Sequence, residues 1–237
     1  MAQSLQRRAI NRWLLLFIWA GQFHSAIHAQ TAPSPPIPLD RAAKNFALAE
    51  HLADADGERL WNLSLMGPML FVDPVSRFAV ANQADSGGLL VQNGIVWTGT
   101  LLPEVQIANT SLEWSGVRWT MVIWSALSGS VYDRGKLLMH ESLHRIQPEL
   151  GFPAESPANA HLDGEQGRIW LRLEMRALAE AMIRDGEKQR DAAKHAMTFR
   201  AVRHALAGLA AAREEAALEF NEGICEYTGF KLCGLPL

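Results

Sequence analysis

The spacing of apolar and polar positions divides the chain into a helix, a strand-rich stretch and a run of further helices. Between Asp40 and Asp56, Phe46, Leu48, Ala49 and Leu52 recur at helical spacing, with Asp40 placed to cap the start and Gly57 to end the helix. From Leu60 to Leu127 the texture changes to short apolar and β-branched runs broken by Gly, Pro, Asn and Asp. These predict strands at Trp61–Leu65, Met69–Val72, Arg77–Ala81, Leu89–Gln92, Ile95–Thr98 and Val117–Trp124. Asn93-Gly94 and Ser115-Gly116 are hairpin turns by composition. Helical spacing returns near Val131 and ends at Pro148 and Gly151. Beyond a polar loop, Ala154 to Gly164, it resumes over Gly167–Arg184, Asp191–Leu206 and Ala211–Tyr227, with Gly186 and Gly208 as breaks. Strands segregated ahead of helices predict an α+β fold: a small, mostly antiparallel sheet, one helix, then a helical C-terminal part. Trp61, Trp97, Trp114, Trp119 and Trp124 are expected to fill the space between sheet and helices.

The helix beginning near Val131 carries Met139-His140-Glu141-Ser142-Leu143-His144. In a helix, positions four apart share a face, so His140 and His144 would direct two imidazoles at one point. Zn²⁺ accepts two such nitrogens and leaves room for a third protein ligand and a water, whose proton Glu141 is placed to take.

Charge and termini set the context. Arg7, Arg8 and Arg12 precede a short apolar run, Trp13 to Gly21, and small residues around Ala29, the pattern of a signal peptide over residues 1–29. That apolar run falls short of the ~20 residues a membrane span needs, so no stable span is expected after cleavage. The protein is therefore expected to be exported, periplasmic or secreted. Residues 30–39 contain Pro33-Ser34-Pro35-Pro36-Ile37-Pro38 and read as an extended linker, and residues 40–237 as one domain. Losing residues 1–29 removes three arginines and no acid, and moves the formal charge from −3 to −6. Such a surface gives no footing for nucleic acid.

The third ligand is less directly specified. One common extension of this motif places Gly three and His six residues after the second histidine; Gln147 and Leu150 stand there, which excludes it. His161 lies in a Pro-containing loop. Glu174 lies on a helix with Arg172 and Arg176 close by, and Glu222 lies in Asn221-Glu222-Gly223-Ile224-Cys225-Glu226-Tyr227.

Asn-Glu-Gly on a helix, with Glu and Tyr one turn later, resembles the second motif of the gluzincin zinc metallopeptidases. The resemblance implies His140, His144 and Glu222 as zinc ligands and Glu141 as general base. It also implies close helix packing at Gly223 and Glu226 as the carboxylate that orients a histidine. It implies a zincin-like catalytic domain acting on peptide or protein substrates, with a strand from Leu112 to Trp124 at the sheet edge pairing with extended peptide. The chain departs from the family in the 77 residues between His144 and Glu222 and in lacking the Gly-Ala-Met-Glu-Asn element, so aminopeptidase specificity is not implied. It stops at Leu237, shortly after the second motif, where gluzincins carry further helices; by that comparison the domain would be truncated. The competing expectation is a zinc- or peptide-binding module that keeps the ligands without turnover. Tyr132, Arg134, His161, His204 and Tyr227 are the candidates for steadying an oxyanion. Cys225 and Cys233 either form a disulfide or leave Cys225 packed inside its helix and Cys233 free.

Overall fold

The computed structural model describes residues 35–234. Residues 1–29, expected to be a signal peptide, and residues 30–34 of the expected linker lie outside the described residues. The remaining linker closes onto the fold: Ile37 is fully buried and Leu39 opens the first helix. The α+β arrangement is the observed one. Helix α1 (Leu39–Asp56) is followed by β1 (Met69–Val72), β2 (Phe78–Ala81), β3 (Val91–Asn93), β4 (Val96–Thr100), β5 (Thr110–Trp114) and β6 (Val117–Ile123). Helices α2 (Val131–Ile146), α3 (Glu165–Ile183), α4 (Gly186–Ala207) and α5 (Leu209–Leu232) complete it.

The six strands form one sheet in the order β3-β4-β2-β1-β6-β5. Every neighbouring pair is antiparallel except β1 and β6, which run parallel. Met69, Phe71, Val80 and Val122 face α1 and α2, where they meet Phe46, Leu138, Met139 and Leu143. Leu70, Val72, Ala79, Trp119 and Met121 form a second cluster under the loops on the opposite face. β1 is thus buried on both sides, which is why it reads as four apolar residues in a row. The five tryptophans all pack in or against these two clusters, as expected of core filling.

Three local expectations change. Pro38, with its fixed φ, and not Asp40, occupies the cap position of α1; Asp40 lies in the first turn, where its charge suits the helix dipole. Trp61–Leu65 is not a strand. Positive φ at Glu58 and Asn62 turns the chain there, and the carbonyls of Ser64, Leu65 and Met66 accept hydrogen bonds from the Arg145 guanidinium instead of from a neighbouring strand. β3 forms one edge of the sheet, and of the stretch Leu112–Trp124 only β5 lies at the other. Its partner β6 lies inside the sheet, and the two meet at the Ser115-Gly116 turn, where both residues take positive φ.

Helices α3 and α4 pack as a hairpin, tied to α5 by charge. Arg203, 1% exposed, donates to Glu174 Oε2 at 2.6 Å and to both oxygens of Glu215 at 2.6 and 2.7 Å. Arg200 also bonds Glu174, and His161 and His204 bond Glu215 at 2.5 and 2.7 Å. Burial raises the pKa of Glu215, but hydrogen bonds from Arg203, His204 and His161 outweigh it and bring the value down to about 2. A depressed carboxylate stabilises the fold above its unfolded pKa, and that stability disappears as pH falls through the folded value. Stability is therefore expected to drop between about pH 4.5 and pH 2, and to drop less in Glu215→Gln. Arg203→Met, which takes from Glu174 and Glu215 the buried guanidinium they share, should cost about 3–5 kcal/mol by denaturant unfolding at neutral pH. A loss under 1 kcal/mol would mean the network does not hold the helices.

Candidate metal centre

The motif helix is fixed at both ends. Ser130 caps α2 by accepting from the Asp133 N–H, and Asp133 Oδ2 accepts from the Ser130 N–H at 3.0 Å, a reciprocal capping box. At the other end the Gln147 N–H bonds Leu143 O before Pro148 stops the helix. Met139, Leu143 and Ile146 are buried against the sheet and α1. That leaves His140 and His144 on the opposite side, with ring centroids 5.0 Å apart.

Helix α5 crosses that side. Glu222 Oε2 lies 3.4 Å from His140 Nε2 and 3.7 Å from His144 Nε2. Zinc–nitrogen and zinc–oxygen bonds of about 2.0–2.1 Å in tetrahedral geometry set neighbouring ligand atoms about 3.3–3.4 Å apart, so these separations fit a single shared ion. The far ring nitrogens are also engaged. His140 Nδ1 lies 3.2 Å from Glu226 Oε2, and Lys136 Nζ bonds the other oxygen of Glu226 at 2.7 Å. His144 Nδ1 lies 2.6 Å from Gln147 Oε1. Burial and the neighbouring His144 lower the pKa of His140 against the pull of Glu226 and Glu222, which favours the neutral ring a metal requires.

Glu141 is buried, and its Oε2 has no protein partner. Burial, with the negative Glu222 beside it, pushes its pKa up to about 8. One carboxylate meeting two imidazole nitrogens, with a second buried carboxylate lining the same cleft, is a donor set that a divalent cation would offset, and the residues present fit one. The cleft in front of them measures about 560 Å³. Gln106, Ala108 and Asn109 of the β4–β5 connection, Thr110 to Leu112 of β5, and Ala154 and Ser156 complete its walls.

The other candidates are placed elsewhere. Glu174 and His161 belong to the buried ionic network with Arg203 and Glu215, away from the cleft. Glu174 pairs with Arg200 and Arg203 of α4, not with its helix neighbours Arg172 and Arg176. None of Tyr132, Arg134, His161, His204 and Tyr227 lines the cleft. Arg134 bonds Asn45 and Gly129, and both tyrosines are half-exposed. Gly223 faces open space. The close helix contact falls at Gly229, where a Cβ would come within 2.5 Å of Lys136 O. Gln147, Asn221 and Ser156 were not predicted as part of the site. Gln147 stands three residues after His144, within one turn, a spacing from which it was recoverable.

Cys225 and Cys233 are free and buried. Eight residues apart along α5, they are separated by about 12 Å, well beyond disulfide reach. Cys225 forms a potential metal-binding group with His140 and His144. Its sulfur, however, lies 3.3 Å from His144 Nδ1, the nitrogen already bonded to Gln147, while Glu222 meets the two Nε2 atoms. Burial also pushes the thiol pKa far up, against the thiolate that metals bind.

Family models, curated proteins and solved structures yield no match to this chain. Among the described residues no helix is long and apolar enough to cross a membrane. The geometry predicts that Cys225→Ser keeps zinc affinity within about threefold, whereas removing a second-sphere group at the Nδ1 side costs ~10–100-fold. Competition titration against a chelating dye measures this. Loss of binding in Cys225→Ser would move the third ligand to sulfur.

Proposed function

We propose that this chain is an exported zinc-dependent peptidase of gluzincin type, with His140, His144 and Glu222 as ligands and Glu141 as general base. The observation that carries the reading is the convergence of Glu222 Oε2 on both Nε2 atoms from a separate helix. A His-Glu-x-x-His arising by chance would not bring the carboxylate of a separate helix to the same point.

Held by His140, His144 and Glu222, zinc would supply Lewis acidity for a scissile carbonyl and lower the pKa of a water toward about 7. Glu141 would take a proton from the attacking water and return it to the departing amine, so that amide and water become acid and amine. Its contribution is on the order of 10²–10⁴ in rate. Burial and the partnerless Oε2 suit a group that gains and gives up a proton within one turnover.

The edge strand supports a peptide substrate. Trp114 and Val117 flank the two-residue turn and exchange both main-chain bonds, and the pattern alternates back through Leu112 and Thr110. Ser111 and Glu113 therefore direct their N–H and C=O away from β6, and Ser111 does so at the cleft wall opposite the histidines. Asn109 ends the ladder, its Oδ1 accepting from Ile123 N at 2.8 Å. An extended peptide pairing with Ser111 would lie across the cleft with one carbonyl near the two Nε2 atoms.

A non-catalytic zinc- or peptide-binding module is the second reading. It is favoured by the cleft's lining, which holds none of the five residues considered for steadying an oxyanion. Glu141→Gln separates the two. With zinc retained, the peptidase reading predicts that cleavage of a peptide library falls at least 10²-fold. Zinc-loaded native protein that cleaves no peptide would establish the binding module instead.

A further inference from the structure

Between His144 and Glu222 lie two buried amides, Gln147 and Asn221, and their bonding has a direction. Glu222 Oε1 can only accept. Asn221 Nδ2 lies 3.1 Å from it and 2.8 Å from Ser156 Oγ, so both amide hydrogens are used. Ser156 in turn donates to the same Oε1 at 3.3 Å. The reversed amide would set a carbonyl oxygen against the carboxylate. Asn221 Oδ1 therefore faces inward and accepts from Gln147 Nε2 at 2.8 Å, whose second hydrogen goes to Pro153 O at 3.4 Å. Both contacts turn Gln147 Oε1 toward His144 Nδ1. A carbonyl oxygen offers no proton, so at a separation of 2.6 Å Nδ1 carries the hydrogen and Nε2 keeps its lone pair.

We infer that Gln147 and Asn221 form a two-amide relay through which the Glu222 carboxylate fixes the tautomer of His144, making both amides positioning residues for metal capture. Its role in metal capture rests on the ligand set proposed above. His140 obtains the same tautomer directly from the Glu226 carboxylate. His144 has no carboxylate at Nδ1, and the relay brings the influence of one across from α5. The Cys225 sulfur lies 3.3 Å from His144 Nδ1 and 3.9 Å from Gln147 Oε1; the carbonyl oxygen, at 2.6 Å from Nδ1, is the closer and stronger partner of that nitrogen, and the thiol donates to Oε1. Because Gln147 belongs to the end of α2, Asn221 to α5 and Ser156 to the loop between α2 and α3, the relay also aligns the three segments around the two ligands.

The test is a long-range ¹H–¹⁵N correlation spectrum of the His144 ring in the chelator-treated full chain, at a pH where the imidazole is neutral. The relay predicts a protonated Nδ1 and a bare Nε2 before any metal is added. In Gln147→Met the Nδ1–H form should lose its dominance and zinc binding should weaken ~10–100-fold. Asn221→Leu, which cuts Gln147 off from Glu222 without touching Gln147 itself, should move the tautomer and the affinity in the same direction. A merely structural Gln147 would lower the melting temperature of the Met variant without moving the tautomer. A predominantly Nε2–H ring in the native protein, or a Met variant with native tautomer and affinity, would overturn the relay. Failure of the native chain to bind zinc would overturn the peptidase reading, while the metal-free spectrum still decides the relay.

Discussion

Glu222 reaches the two histidines because α5 crosses α2 with almost no side chain between them. At Gly229 the backbones approach so closely that a Cβ would come within 2.5 Å of Lys136 O, a contact real side chains do not make. The same crossing is secured by Lys136 on Glu226 and by Trp61, whose indole N–H donates to Thr228 Oγ1 at 3.0 Å. Two turns before Glu222 on the same helix, Glu215 is anchored by Arg203 and two histidines. Glu222 thus sits midway between a steric anchor at Gly229 and an ionic one at Glu215. A shift of α5 by a fraction of an ångström would separate the carboxylate from one of the imidazoles.

Burial gives this geometry its chemical force. Glu141 is buried, and the negative Glu222 lies near it, so its charge is costly until a cation neutralises the centre. The far nitrogens of both histidines are held by acceptors, Glu226 for one and Gln147 for the other, so the near nitrogens face the cleft with free lone pairs. The ionic network at Glu215 draws off two further histidines, His161 and His204. Those two are structural groups in this fold, whatever their chemical aptitude.

Much of this was legible in the sequence because it rests on local rules. The helical spacing of His140 and His144, the strand-then-helix order and the Ser115-Gly116 turn each follow from neighbours a few residues apart. Glu222 was legible only through its resemblance to a motif, since nothing local ties residue 222 to residue 144. What escaped depends on distant partners. The carbonyls of 64–66 are satisfied by Arg145, so an apolar run that looked like a strand is a loop. β5 is half-exposed and polar at its start, so its pattern was weak. Glu174 on an apolar helix face looked like a possible ligand; its partners, Arg200 and Arg203, lie on the next helix. The glycine of the second motif drew attention, whereas the contact that matters falls at Gly229, where only the packing of α2 reveals the need.

The central claim is that two imidazoles and one carboxylate, without sulfur, hold a single zinc ion. Zinc K-edge X-ray absorption on the loaded protein tests it most directly. The account predicts a coordination shell of nitrogen and oxygen alone at about 2.0–2.1 Å, with the outer-shell scattering of two imidazoles. A scatterer at about 2.3 Å would place Cys225 on the metal and contradict the assignment of Glu222.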